Sequence, residues 1–210
     1  MSTESAFLVH VIDDDTSVRT AISLLLLACG YRVFTYESGT QFLECSVPDE
    51  PSCILLDVNM LGFSGLQLQE QLKAKNSHIP IIFLTAYGDI SMSVRAMKAG
   101  AENFLSKPVS KDELVNAIEE ANRRYMNVQI ARSNLNELRL RYDHLTEREI
   151  TVFHMVVRGL LNKQIAFQLG NSERTIKAQR SSIMEKMQAN SFAELVLIAT
   201  QLGILGTEMN

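Results

Sequence analysis

The sequence has few cysteines and none of the long apolar runs that mark several large classes of protein. Its three cysteines, Cys29, Cys45 and Cys53, are odd in number and lack CxxC spacing. This pattern argues against a disulfide framework or a zinc site and predicts buried free thiols. No apolar run approaches the roughly 20 residues that cross a bilayer, and no charged-then-apolar signal segment opens the chain. We therefore expect a protein that has no membrane segment and works in the cytoplasm.

Charge is divided unevenly along the 210 residues. Residues 1–125 carry 10 Lys and Arg against 16 Asp and Glu, a net charge of −6, whereas residues 126–210 carry 10 against 8, a net charge of +2. An acidic half suits a cation site, and a basic half suits a polyanion. Because 46% of the residues are hydrophobic, the chain can build packed cores, and its length suits two small domains.

The first 125 residues alternate short apolar runs with amphipathic segments. The run Cys53-Ile54-Leu55-Leu56 leads straight into Asp57, as expected for a strand that is buried on both faces. Comparable strands are predicted at 7–12, 31–36, 81–84 and 103–105, and a helix is predicted after each strand. This alternation predicts an α/β fold with a doubly wound, five-stranded parallel sheet of about 120 residues.

Two local predictions within this region concern its connections and its fourth helix. A turn is expected from Pro48 to Ser52. The fourth helix is expected to run from Asp89 to Ala99, with Val94 and Met97 facing inward, and to end at a glycine.

Four of the predicted strands deliver a charged or hydroxyl side chain to their carboxyl ends, where the loops of an α/β sheet form a ligand-binding crevice. These side chains are Asp13 and Asp14, Asp57, Thr85 and Lys107. Grouped carboxylates repel one another unless a cation is present, and oxygen ligands suit Mg²⁺. An ionised carboxylate can attack phosphorus if a cation and a hydroxyl stabilise the transferred group. The sequence therefore predicts a magnesium-dependent phosphorylation site with Asp57 as its nucleophile.

Four motifs stand at these strand ends: Val11-Ile12-Asp13-Asp14-Asp15, Leu56-Asp57, Leu84-Thr85-Ala86 and Ser106-Lys107-Pro108. Together they resemble the signature of receiver domains of two-component response regulators, over roughly residues 5–125. The resemblance implies a flavodoxin-like fold in which Asp57 accepts a phosphoryl group from a sensor histidine kinase. It implies the following further roles: Mg²⁺ held by Asp13, Asp14, Asp57 and the backbone carbonyl of Asn59, the phosphoryl group bound by Thr85, Ala86 and Lys107, and an aromatic switch at Phe104.

The loop after Asp57 departs from the receiver pattern at one position. Receivers usually carry Met-Pro-Gly after the phosphorylated aspartate, whereas this sequence has Met60-Leu61-Gly62. Leucine lacks the fixed φ of proline. We therefore expect a more flexible loop, and the resemblance leaves the lifetime of a phosphoryl group open.

A long helix is predicted to begin near Ser110 and to continue past the sheet domain, because no glycine or proline interrupts it. It carries a heptad-like stripe. The stripe consists of Leu114, Ile118, Ala121, Tyr125, Val128, Arg132, Leu135, Arg139 and Tyr142. Two arginines weaken the stripe as a dimer seam. Two interpretations stay open: a coiled-coil dimer contact, and a solvated linker helix that packs on its own domain.

From Leu145 the sequence predicts helices alone, and Thr146 with Glu149 forms a capping box. A short helix, a glycine turn at Gly170 and a longer helix from Ser172 have helix-turn-helix spacing. Three motifs stand in this region: Leu145-Thr146-Glu147-Arg148-Glu149, Gly159-Leu160 followed by Asn162-Lys163-Gln164-Ile165-Ala166, and Thr175-Ile176-Lys177. They resemble the LuxR-type DNA-binding domain of the FixJ and NarL branch of regulators, over about residues 143–205.

The longer helix supplies the predicted DNA contacts. Arg174, Lys177 and Arg180 recur every third residue, and such side chains reach phosphates and guanine edges. The full predicted set is Arg174, Thr175, Lys177, Ala178, Gln179, Arg180 and Ser181. By the resemblance, Lys177, Ala178 and Ser181 approach base edges. Because Ala178 and Ser181 are small, we expect modest affinity that is raised when a homodimer binds two half-sites of duplex DNA.

These observations predict a receiver domain at 1–125, a helical linker at 126–143 and a helix-turn-helix domain at 144–210. The predicted function is a transcription regulator, and not a turnover enzyme, whose phosphorylation controls dimerisation and DNA binding. Two alternatives are a constitutive DNA-binding protein with a non-signalling receiver and a phosphatase that uses the acidic site. The phosphatase alternative gives residues 145–205 no role.

Overall fold

The computed structural model describes residues 7–45, 50–86 and 90–205. The chain divides into two compact units, residues 1–128 and 129–210. A 33-residue helix, α5 (Lys111–Asp143), begins in the first unit and ends in the second. No helix in the described ranges is both long enough and apolar enough to cross a membrane.

The first unit is a five-stranded parallel sheet with helices on both faces, as the sequence predicts. Its elements are β1 (Leu8–Ile12), α1 (Thr16–Ala28), β2 (Arg32–Tyr36), α2 (Gly39–Glu44), β3 (Ser52–Asp57), α3 (Gly65–Ala74), β4 (Ile81–Thr85), α4 (Ile90–Lys98), β5 (Asn103–Ser106) and the first part of α5. The strand order is β2-β1-β3-β4-β5. The fold class read from the alternating pattern is thereby confirmed.

Alternate residues of β3 explain why the sheet is covered on both faces. Leu55 packs into a core with α1 and α5, whereas Ile54 and Leu56 pack into a second core with α2 and α3. All six residues of β3 are buried. A strand that is apolar on both faces must be covered on both faces, and in a parallel sheet helices provide this cover.

Helix α4 corrects one sequence-based prediction. Val94 and Met97 were expected inside, but they are 44% and 46% exposed. The buried residue of α4 is Ala96, whose carbonyl oxygen accepts a hydrogen bond of 3.1 Å from the Gln69 side chain of α3. The helix has apolar residues on two faces. The face that carries the small Ala96 side chain packs on α3, because the two helices approach closely there. The predicted first residue, Asp89, lies outside the described ranges.

Two smaller predictions have a mixed outcome. The turn expected from Pro48 to Ser52 falls partly outside the described residues, and Ser52 is the first residue of β3. The three cysteines are free, but only Cys53 is buried, and Cys45 is exposed at the end of α2. The prediction of three buried thiols is therefore wrong for Cys45, and Cys29 at the end of α1 is only partly buried.

The second unit is helical. It contains the last part of α5 followed by α6 (Glu147–Val157), α7 (Asn162–Leu169), α8 (Glu173–Lys186) and α9 (Phe192–Gln201). Thr146, Ser172 and Ser191 cap α6, α8 and α9 with their hydroxyl groups. Gly170 ends α7 with φ 64°, a left-handed conformation that glycine adopts without strain.

The heptad-like stripe of α5 divides between the two units. Leu114, Ile118, Ala121 and Tyr125 are buried in the first unit, and Tyr142 packs against the core of the second. The two arginines of the stripe, Arg132 and Arg139, are exposed. The apolar part of the stripe thus has packing partners within each unit at the two ends of the helix.

Gly65, the first residue of α3, lies against the strand that ends at Asp57. A Cβ atom at this position would overlap with the backbone oxygen of Asp57 and lie 3.0 Å from Phe83 Cε1. We expect Gly65→Ala to destabilise the first unit by about 1–3 kcal/mol, the usual cost of overpacking. Urea unfolding of the full chain, combined with hydrogen exchange of the β3 amides, measures this cost. Glu70→Ala, at an exposed position of the same helix, is the control and should change the free energy of unfolding by less than about 0.5 kcal/mol.

Candidate functional site

The sheet register brings the predicted site residues to one edge. Ile12 pairs with Leu56, and Asp57 pairs with Leu84, so β1, β3 and β4 end at the same level. Thr85 pairs with Ser106 at the end of β5, and the backbone nitrogen of Lys107 donates to the Thr85 carbonyl at 2.7 Å. Because the strands are parallel, residues far apart in sequence meet at their carboxyl ends.

Two buried carboxylates share one ammonium group at this edge. Lys107 Nζ donates to Asp57 Oδ1 at 2.7 Å and to Asp13 Oδ2 at 2.5 Å. Asp57 Oδ2 also accepts from the backbone nitrogen of Asn59 at 2.9 Å, and Asp13 Oδ1 accepts from that of Asp15 at 2.9 Å. Asp57 is 6% exposed and Asp13 is 2% exposed. Every carboxylate oxygen of the pair therefore has a donor, as buried charges require.

The electrostatics of the pair follow from burial and shared charge. Burial raises the pKa of Asp57, and the repulsion from Asp13 adds to this, although Lys107 partly offsets both. Burial alone would lower the pKa of Lys107, but the hydrogen bonds and charges of Asp13 and Asp57 outweigh it and raise the pKa. Removal of the ammonium group would leave two buried like charges side by side.

Asp14, the third predicted metal ligand, has a different hydrogen-bond partner from this pair. It is exposed, and its Oδ2 accepts from the backbone nitrogen of Leu61 at 3.0 Å. Across the described ranges, no group of three or more His, Cys, Asp or Glu side chains is arranged to hold a metal ion. The donor set nevertheless suits Mg²⁺, because Asp13 and Asp57 already converge on one cation, the Lys107 ammonium group, and offer the hard oxygen ligands that Mg²⁺ prefers.

The remaining predicted receiver residues lie beside this edge. Thr85 is fully buried at the end of β4, and Ala86 is exposed. Phe104 of β5 is half-buried, with its ring centroid 6.1 Å from that of Phe83. Asn59 is exposed in the loop after β3. The roles predicted for these residues in metal binding, phosphoryl binding and switching stay predictions.

Two supporting residues were not found from the sequence. Asp15 caps α1 by accepting from the backbone nitrogens of Ser17 and Val18. Arg19 donates to the backbone oxygen of Asp13 at 2.6 Å. The capping role could have been read from an aspartate one residue before a helix start, whereas the Arg19 contact depends on the path of the chain.

The predicted DNA-contacting residues of α8 divide between two faces. Arg174, Thr175, Lys177, Ala178 and Ser181 are exposed. Arg180 is half-buried and donates to Asn162 Oδ1 of α7 at 2.9 Å, and the Oε1 atom of Gln179 is buried. Of the three basic residues predicted at every third position, Arg174 and Lys177 are therefore exposed, whereas Arg180 is only partly exposed.

Glu149 ties α6 to α8 and was recognised from the sequence only as part of a capping box. Its side chain accepts from Thr146 N at 2.8 Å, Ser182 Oγ at 2.7 Å and Lys186 Nζ at 2.7 Å. Burial by itself raises the pKa of Glu149, but the hydrogen bonds from Lys186, Thr146 and Ser182 outweigh it and lower the pKa to about 2. The contact fixes the position of α8 through charge-assisted hydrogen bonds.

Comparisons with known proteins match both units. The family profile of the response regulator receiver domain matches residues 9–119, and that of bacterial regulatory proteins of the luxR family matches residues 143–199. Nodulation protein W of Bradyrhizobium diazoefficiens is 42% identical over 94% of this chain and 87% of its own length. FixJ of Azorhizobium caulinodans, a transcriptional regulatory protein, is 39% identical over 93% of each chain.

Solved structures agree with these matches. The response regulator StyR has a TM-score of 0.81 and 43% identity, over 94% of this chain and all of that one. Full-length FixJ from B. japonicum has a TM-score of 0.55 and 36% identity, over 94% and 98%. The chain belongs to the two-component response regulators that combine a receiver domain with a LuxR-type DNA-binding domain. Phosphorylation-controlled transcription regulation is the norm of this family.

The Glu149 contacts predict a pH-dependent stability of the second unit. Because the folded-state pKa of about 2 lies below the ordinary value of 4.5, the stabilisation is present above about pH 4.5 and is lost as the pH falls toward 2. We expect Glu149→Gln to lower the free energy of unfolding at pH 7 by about 1.5–3 kcal/mol, the worth of hydrogen bonds to a charged group. The difference from wild type should shrink between pH 4.5 and pH 3.

Unfolding of the full chain, followed by hydrogen exchange of α6 and α8 amides at several pH values, measures this difference. Glu185→Gln, which removes an exposed carboxylate of α8, is the control and should have less than about 0.5 kcal/mol of effect. A Glu149→Gln deficit that is the same at pH 7 and pH 3 would show that the charge of Glu149 does not stabilise the unit.

Proposed function

We propose that a sensor histidine kinase transfers a phosphoryl group to Asp57, and that this controls dimerisation and DNA binding. The observation that carries the proposal is the pair of buried carboxylates, Asp13 and Asp57, held by Lys107 at the carboxyl edge of the sheet. In the transfer, a carboxylate oxygen of Asp57 attacks phosphorus, an O–P bond forms, and the N–P bond to the kinase imidazole breaks. Since its partners are chromosomal DNA and a kinase, we place the protein in the cytoplasm.

The residues around Asp57 suit this reaction. Lys107 already donates to Asp57 Oδ1, so its ammonium group can follow negative charge from the carboxylate to the phosphoryl oxygens. Asp13, Asp14, Asp57 and the Asn59 carbonyl would hold Mg²⁺, which neutralises charge on the phosphoryl oxygens when bound. Thr85 is the last residue of β4 and Ala86 follows it at the same edge, and Phe104 lies on the neighbouring strand. We assign them to binding the phosphoryl group and to relaying its presence.

The exposed face of α8 supports the DNA-binding part of the proposal. Arg174 and Lys177 carry positive charge on this face, while Ala178 and Ser181 leave room for close approach to base edges. Thr175 lies in the first turn of the helix, where backbone nitrogens suit phosphate. The contact of Arg180 with Asn162 and the burial of Gln179 Oε1 support a different assignment, in which these two residues position α8 and contact DNA weakly. A dimer on two half-sites would bind more tightly than one copy, because binding of the second copy becomes intramolecular.

Phosphorylation of Asp57 is tested with acetyl phosphate and Mg²⁺. We expect the full chain to gain the mass of one phosphoryl group and to change from monomer to dimer in solution, with tighter binding to DNA. Asp57→Asn should show none of these changes because it removes the nucleophile. Asp112→Asn, an exposed carboxylate in the first turn of α5, is the matched control and should behave as wild type. Labelling of Asp57→Asn at the wild-type level would contradict the assignment.

DNA contact through α8 is tested by removal of one exposed positive charge. The DNA is a site that the phosphorylated chain selects from random duplexes. We expect Lys177→Ala to weaken binding to this site about tenfold and to reduce the salt dependence of the affinity. Arg158→Ala removes an exposed charge at the end of α6 and is the control. Equal losses for both variants would attribute the effect to net charge and reject a specific contact by α8.

A further inference from the structure

The loop after β3 contacts a predicted metal ligand through a backbone nitrogen. The amide of Leu61 donates to Asp14 Oδ2 at 3.0 Å and so joins the loop after β3 to the loop after β1, 47 residues away in sequence. The Leu61 side chain is 90% exposed. Its backbone amide, and not its side chain, therefore makes the contact with the acidic edge.

The rest of the loop holds this amide in place. Phe63 N donates to the Leu61 carbonyl at 2.9 Å, and Gly65 N donates to the Val58 carbonyl at 3.1 Å. Gly62 has φ 78°, a conformation that glycine adopts without strain. These contacts form a compact turn directly after Asp57 and present the Leu61 amide to Asp14.

The three carboxylates consequently face two different partners. Asp13 and Asp57 face the Lys107 ammonium group, whereas Asp14 faces the Leu61 amide. Among the described residues, the three carboxylates do not form a group that could hold a metal ion. Asp14 must therefore turn to join the other two around a divalent cation, and this rotation would break or weaken its hydrogen bond to the Leu61 amide. A residue at position 61 without an N–H group would leave Asp14 free to turn toward the metal.

We propose that the Leu61 amide holds Asp14 in a metal-free position and so weakens Mg²⁺ binding. This inference rests on the proposed function, since it concerns the same acidic edge. Leu61 is a positioning residue here: it acts on the metal through Asp14 and touches neither the phosphoryl group nor the nucleophile. A leucine in place of the proline usual in receivers thereby raises the Mg²⁺ concentration at which the site fills.

The test compares two variants of the full chain that both shorten the exposed side chain, one without and one with an N–H group at position 61. Leu61→Pro removes the N–H group, and Leu61→Ala keeps it while it shortens the same exposed side chain. In calorimetric titrations with MgCl₂ we expect the Kd of Leu61→Pro to be about three- to tenfold lower than that of wild type, the worth of one solvent-exposed hydrogen bond. The Kd of Leu61→Ala should equal that of wild type.

A second readout follows the amide itself and needs no variant. In wild-type protein we expect Mg²⁺ to move the Leu61 amide proton upfield in NMR spectra and to speed its exchange with solvent, as the hydrogen bond to Asp14 is lost. An unchanged Leu61 amide at saturating Mg²⁺, or a Kd of Leu61→Pro that equals or exceeds that of Leu61→Ala, would overturn the inference.

Measurements on Asp57→Asn separate the proposed metal site from the role of Leu61. If wild type binds Mg²⁺ and Asp57→Asn binds it far more weakly, the proposed metal site stands, and only the comparison of Leu61→Pro with Leu61→Ala decides the role of Leu61. If wild type and Asp57→Asn bind Mg²⁺ equally, or neither binds it, the proposed metal site fails and the inference fails with it.

Discussion

The ammonium group of Lys107 between Asp13 and Asp57 is the interaction on which the first unit depends at its functional edge. Two carboxylates that are 2% and 6% exposed would repel strongly in a medium of low dielectric constant, and one shared cation makes their proximity stable. The cation comes from the end of a third strand, so the ion pairs also link β1, β3 and β5. The ion pairs that hold the proposed phosphoryl acceptor therefore also hold the strand ends together.

The second unit uses the same principle for a different purpose. Glu149 is a buried carboxylate with a lysine partner, Lys186, and a hydroxyl partner, Ser182. Here the ion pair fixes one helix against another. Arg180 likewise links α8 to α7 through its hydrogen bond to Asn162. The charged residues of α8 thus divide into those that hold the helix and those that it presents to solvent.

The motifs of the receiver edge could be recognised from the sequence because each is a short apolar strand followed by a polar residue. Parallel strands bring such residues together whatever the loops between them do, so Asp13, Asp57, Thr85 and Lys107 follow from the pattern. The pattern was less informative about helices with two apolar faces. Val94 and Met97 were expected inside α4, but the approach of Gln69 selects Ala96. Periodicity identifies a face without saying which of two faces is packed.

The sequence by itself determined the succession of strands and helices along the chain and the helix-turn-helix spacing, because both depend on residues that are close in sequence. It also determined which residues form the acidic edge, because the ends of parallel strands must coincide. Only the tertiary structure decided which polar groups pair. Asp14 with Leu61, Arg180 with Asn162 and Glu149 with Lys186 are contacts between separate segments of the chain. Such pairs depend on the exact path of loops and on the facing of helices, and a one-dimensional pattern carries neither.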